Sequence, residues 1–160
     1  MASTYTPIAT QTASGSVATL AFTSIPSTYT DIVAVIQGNT TNANMVMRFN
    51  SDNAGNYSRT VLRGNGTAAS SFAQTSQTEL TLDGSFSTPG QNFIVHIMNY
   101  SNATTYKTAL ARSNNAGSGI DQEVALWRST AAINRIDFLF SGAGNFTAGT
   151  TFTLYGIKAA

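Results

Sequence analysis

The period of the apolar residues constrains this chain more than any other feature. No window carries a sustained apolar pattern at i, i+3, i+4 and i+7, so helix signals are nearly absent. Short runs of period 2 recur instead, between clusters of Gly, Asn, Ser and Pro. In "SVATLAF" (16–22), Ala18, Leu20 and Phe22 share a face; in "MVMRFN" (45–50), Met45, Met47 and Phe49 face one way and Arg48 the other. Strands are also expected at "DIVAVIQ" (31–37), "YSRTVLR" (57–63), "TELTL" (78–82), "NFIVHIMNY" (92–100), "TYKTALAR" (105–112), "QEVALWR" (122–128), "INRIDFLF" (133–140) and "TFTLYGI" (151–157).

Parallel strands need long crossovers, usually helical, and none is available, so the sheets are expected to be mainly antiparallel. Runs such as "DIVAVIQ" are apolar on both faces, which fits the interior between two packed sheets. The predicted fold class is all-β: an antiparallel, jelly-roll-like β-sandwich of about ten strands with little or no helix. Residues 16–160 read as a single domain, preceded by a polar segment, 1–15, that is either an N-terminal arm or an edge strand. The Ser/Thr-rich stretch 64–91 reads as a long loop. In the last strand, Phe152 and Leu154 face the core, and Gly156 continues their row, leaving room for a close neighbour.

Composition limits the function. Only 9% of residues are charged, against about 25% in an ordinary soluble domain. Thr alone occurs 24 times. Such a surface dissolves but offers little repulsion between copies, which suits a member of an assembly. A net charge of +1 leaves no basic patch for a phosphate backbone, so nucleic acid is not expected as a partner. The longest apolar run, "IVAVI" (32–36), falls far short of the roughly 20 residues of a membrane helix, so no membrane partner is expected either. Without cysteine, disulfides and thiolate–zinc sites are excluded. "MASTYTPIAT" lacks the basic and apolar regions of a secretory signal. An extracellular style of composition without an export signal fits a virion protein, made in the host cytoplasm and released by lysis.

Residues that carry chemistry are sparse. His96 is the one histidine; catalysis would need an Asp beside it and a nucleophile nearby. The plainer reading is a histidine packed on a strand with one hydrogen bond. Asp121 and Glu123 share a strand face, but glycoside hydrolysis needs two carboxylates on one sugar, and acids at a loop mouth are ordinarily just solvated. "NSDNAGNYS" (50–58) superficially resembles a calcium loop, yet Asp52 is its only carboxylate. An Asx-type turn accounts for the same residues. No catalytic, cofactor or metal residue is therefore assigned. Trp127 facing inward would anchor the core; facing outward it would stack on a sugar or a subunit. Tyr57, Tyr106 and Trp127 are the candidate surface-recognition aromatics, with Tyr100 and Tyr155 as further groove residues. Tyr5, Pro7 and Ile8 are candidates for contact between subunits.

Three segments together carry a resemblance: "FNSDNAGNYSRTVLRGNGTAASS", "HIMNYSNATTYKTALAR" and "VALWRSTAAINRIDFLFSGAGNFTAGTTFTLYGIKAA". With "STYTPIATQTASGSVATLAFTSIPSTYTDIVAV", the chain resembles small virion structural proteins of tailed bacteriophages, especially those of cyanobacteria and marine bacteria. The resemblance covers nearly the whole chain. It implies a jelly-roll-like sandwich and carries no catalytic residues. The expected function is that of a non-enzymatic virion structural protein, foremost a capsid decoration (cement) protein on the head exterior. The alternative is a tail-fibre, head-fibre or receptor-binding module contacting host-surface polysaccharide through loops 38–44, 64–78 and 113–121. The expected partners are further copies of the chain, as a homotrimer, and the major capsid protein or another virion protein. A glycan hydrolase is the weakest reading.

Overall fold

The period-2 runs sort, in a computed structural model, into two antiparallel sheets facing each other. The structure describes residues 4–40, 45–82, 90–115 and 119–158. In chain order the strands are β1 (Tyr5–Thr12), β2 (Leu20–Phe22), β3 (Asp31–Gly38), β4 (Met45–Phe49), β5 (Tyr57–Gly64), β6 (Ala69–Gln77), β7 (Leu80–Leu82), β8 (Gln91–Met98), β9 (Lys107–Asn115), β10 (Gly119–Trp127), β11 (Ile136–Phe140) and β12 (Thr151–Ile157). The large sheet has the order β1-β12-β3-β8-β9-β10-β5-β6 and the small one β2-β11-β4-β7. The chain repeatedly crosses between the sheets, as jelly-roll-like sandwiches do.

Directly opposed residues share a sheet face, so the register gives the core. The large sheet turns inward Phe152 and Leu154, Ile32, Ala34 and Ile36, Phe93, Val95 and Ile97, Ala109 and Ala111, Ala125 and Trp127, and Tyr57 and Val61. The small sheet meets them with Phe22, Ile136, Phe138, Phe140, Met45, Met47, Phe49, Leu80 and Leu82. Ring contacts knit the layers: Phe138 lies 5.1 Å from Phe152, and Phe49 lies 5.5 Å from Trp127.

Two strands exceed the expected ten. Residues 5–12 form β1, an edge strand paired with β12. The stretch 64–91, expected as a long loop, contains β6, which pairs with β5 as a hairpin; residues 83–89 lie outside the described residues. β6 escapes a pattern search because no residue in Ala69–Ser76 is buried, so neither face selects apolar side chains. Conversely, 16–22 yields only the short β2, and Val17 makes an isolated bridge to Phe146.

Gly156 has the neighbour expected of it. A Cβ there would overlap the ring of Tyr29, which lies against the β12 backbone.

Candidate interaction surface

Among the described residues, no second sheet packs on the outer face of the large sheet. The register places on it Tyr5 and Pro7 of β1, Tyr155 and Ile157 of β12, Val33 and Val35 of β3, Ile94, His96 and Met98 of β8, Leu110 and Arg112 of β9, Ile120, Val124 and Leu126 of β10, and Leu62 of β5. The face is mixed: Val33, Val35, Ile94 and Leu110 make an apolar middle, in which Val33 is already buried, while Thr12, Thr151, Gln37, Asn92 and Asn114 form a polar row along one end and Thr10, Thr153, Gln122 and Thr60 interrupt the rest. Among the described residues of its strands, Asp31, His96 and Arg112 are the acidic and basic side chains that the register places on this face; Arg59, Arg63, Lys107, Asp121 and Glu123 are on the other. Exposure rises toward the β5–β10 end, where Leu62 is 60% exposed, Ile120 66% and Val124 48%. A groove of about 490 Å³ is lined there by Leu62, Gly64, Ala69, Arg112, Ile120 and Gln122. With eight strands about 4.8 Å apart and about 3.3 Å per residue along each, the face covers on the order of 800 Å². That is about one partner's share of a standard protein–protein interface.

The two edges of this sheet differ. β1 carries Pro7, which supplies no backbone N–H, and a bulge between Pro7 and Ala9 that leaves Ile8 without a partner in the register. Tyr5, 52% exposed, packs edge-on against Tyr155 with ring centroids 6.2 Å apart. Ile8 packs against the core. Of the three candidate contact residues, Tyr5 and Pro7 are thus exposed on the edge strand and Ile8 faces inward. β6 lies at the opposite edge with no Pro, no Gly and no charged residue.

The candidate recognition aromatics do not converge. Tyr57 is fully buried and Trp127 is 2% exposed, so neither can meet an outside ligand; both belong to the core. Their rings stack on each other, 6.3 Å apart at 18°. The sequence could have placed both, because Tyr57 shares its row with Val61, and Trp127 its row with Ala125. Tyr100 is buried as well, with its hydroxyl donating to the Pro26 carbonyl. Tyr106 alone of the three candidates is on the surface, 56% exposed at the start of β9.

The 50–58 turn is held by its own donors. Asp52 Oδ1 accepts from Ala54 N at 2.9 Å; Oδ2 accepts from Asn56 Nδ2 at 2.9 Å and from Trp127 Nε1 at 2.7 Å. Burial pushes this carboxyl's pKa up, but those hydrogen bonds outweigh it, and the net is below the ordinary range. Asn50, at φ 52°, accepts from Asn134 N and Arg135 N. A cation would have to displace N–H donors from these oxygens. Among the described residues, no three His, Asp or Glu side chains gather around a common point.

His96 Nε2 lies 2.9 Å from Asp31 Oδ2, and Asp31 Oδ1 accepts from Asn99 N at 2.8 Å. The Asp that a catalytic reading requires is therefore present. The other residues beside His96 on the face are Val33 and Leu110 directly across the strands and Ile94 and Met98 along its own, none of which is a nucleophile; Thr108 stands diagonally across on β9. Asp121 and Glu123 do share a face, but each meets its own arginine: Arg63 Nε at 2.6 Å from Asp121, and Arg59 at 3.5 Å from Glu123. Glu123 is not solvated as expected. Its side chain is 3% exposed and that of Arg59 6%. Arg59 also donates to the Thr81 carbonyl and to Gln74, tying β5 to β7 and β6. Lys107, too, is buried, and donates to the Thr105 and Thr130 carbonyls. These buried charges are held by ion pairs and hydrogen bonds within the fold and read as structural.

Among the described residues, no helix is long and apolar enough to cross a membrane. No protein-family model matches the chain, and no curated protein matches it.

Proposed function

We propose that this chain is a non-enzymatic structural protein of a phage virion, acting as a decoration protein that docks on the head exterior through the outer face of its large sheet. The observation that carries the docking is that face: low in charge, of the extent a stable contact needs, and with Leu62, Ile120 and Val124 exposed together at its β5–β10 end. The virion setting rests on the resemblance drawn from the sequence. The physical task is to add buried area across joints between capsid subunits, so that separating them costs more. Scattered hydrophobic residues on a surface need no explanation, but Leu62, Ile120 and Val124 are exposed side by side on β5 and β10, and a clustered apolar patch marks an interaction site. The scarcity of charge works in the same direction, since the face presents few ions that docking would have to desolvate.

The fibre or receptor-binding reading rests on less. It relied on exposed aromatics, two of which are core residues. It also relied on 64–78 as a contact loop, most of which is the β6 strand. The test is to isolate intact heads and tails from purified particles and count this chain in each by quantitative mass spectrometry. Hundreds of copies on heads are expected. A few copies confined to tails would overturn the decoration role.

A further inference from the structure

We propose that β6 is a self-pairing edge: two copies of this chain join through their β6 strands, antiparallel about a two-fold axis, and continue the large sheet from one molecule into the other. An edge strand presents a row of backbone N–H and C=O groups to any strand that reaches it. Proteins blunt such edges with Lys, Pro, bulges or a covering loop. β1 has a proline and a bulge, and its Tyr5 packs on Tyr155. β6 runs nine residues, "ASSFAQTSQ", with every residue from Ala69 to Ser76 exposed and no charge or proline anywhere on it. Its single irregularity faces β5 near its C-terminal end, where Ser76 takes φ 54°.

The occupant follows from the strand's own chemistry. With no charge on β6, pairing with an identical strand brings no like charges together in any register, and nothing on the strand selects an oppositely charged partner. Nine residues offer about eight ladder hydrogen bonds, close to the roughly ten of a standard interface. On the outer side of β6, opposite Thr60, Leu62 and Gly64, stand the small residues Ala73, Ser71 and Ala69. Small side chains there leave the β6 backbone open to a second strand on this side. On the other side, Phe72 lies under Arg59 and Arg63, 5.4 and 5.7 Å from its ring centre, which fixes it in place beside the edge. An isologous contact of this kind closes on itself. It gives a dimer, where open edges with few guarding charges and the decoration-protein reading led to the expectation of a trimer.

The pairing rests on β6 and not on the outer face, so its failure would leave the docking proposal standing, and the reverse holds too. The experiment is sedimentation velocity of the full chain over a concentration series. A dimer that dissociates on dilution is expected. Ser71→Lys, a change at an exposed position, should abolish it while leaving the melting temperature of the monomer nearly unchanged. Thr10→Lys, on the β1 edge, should leave it intact. Because the chain has no cysteine, single substitutions Ser70→Cys, Ser71→Cys, Phe72→Cys and Ala73→Cys also locate the axis: oxidation should cross-link at least one of them, and Thr10→Cys should not cross-link. A monomer at every concentration, a trimer, or a dimer that survives Ser71→Lys would overturn the proposal.

Discussion

The indole N–H of Trp127 donates to Oδ2 of Asp52 at 2.7 Å, fastening the β4–β5 turn to the end of β10. The same carboxylate holds the backbone of Ala54 and the side chain of Asn56, so one acid organises a turn and caps the core's one tryptophan.

Asp52→Asn should therefore destabilise the fold. An amide offers one acceptor oxygen where the carboxylate uses two, so its NH₂ group would face an N–H donor. The expected loss is about 0.5–1.5 kcal/mol, the net worth of a hydrogen bond lost at a partly exposed turn, read from urea denaturation. The wild type should also weaken in acid. The folded carboxyl has a pKa below the ordinary 3.8, so its contribution is full above that value and fades as pH falls through the folded pKa. Asp52→Asn should lack this part of the acid dependence.

Tyr57 makes the opposite prediction at high pH. Its hydroxyl accepts from Phe49 N at 3.0 Å and donates to the Asp52 carbonyl at 3.1 Å. Burial pushes the phenol's pKa well above the ordinary 10.0. The unfolded chain releases this proton near that value while the folded chain keeps it. The contribution is thus complete below it and is lost as pH rises beyond it. Tyr57→Phe should cost about 1–2 kcal/mol at neutral pH and should show a shallower loss of stability in alkali, measured by circular dichroism.

The two arginine–carboxylate pairs of β5 and β10 should differ in weight. Glu123→Ala leaves the buried Arg59 without its carboxylate and should cost about 3–5 kcal/mol. Asp121→Ala exposes Arg63, whose side chain is already 43% exposed, and should cost no more than about 1 kcal/mol. Equal effects in thermal denaturation would contradict this division.

Gly156→Ala should destabilise the protein by about 1–3 kcal/mol through overpacking against Tyr29. Adding Tyr29→Ala should recover part of that loss, because the two changes meet at one contact. Additive effects in the double variant would mean that the close approach is not the cause.

Most of the sandwich was legible because burial on one face forces period 2. Phe152 and Leu154, or Met45, Met47 and Phe49, report their own orientation. β6 was not legible, since a strand exposed on both faces has no reason to alternate. Glu123 was misjudged for a different reason: its charge suggested solvent, although it stands, as Arg59 and Lys107 do, in a row of core residues. Parity along the strand would have placed them inside. The outer face could not be read as a surface at all until the register lined up Val33, His96, Leu110 and Val124 across neighbouring strands. The sheet order, which no single strand encodes, does that.

The central claim is that the outer face of the large sheet docks on a capsid. Val124, half-exposed and in the middle of β10, is the place to test it. Purified heads lacking this protein are incubated with it and recovered by sedimentation, and bound copies are counted. The wild type should bind to saturation at hundreds of copies per head, and Val124→Lys should bind far fewer while keeping its melting temperature. Equal binding by Val124→Lys, or no binding by the wild type, would contradict the claim.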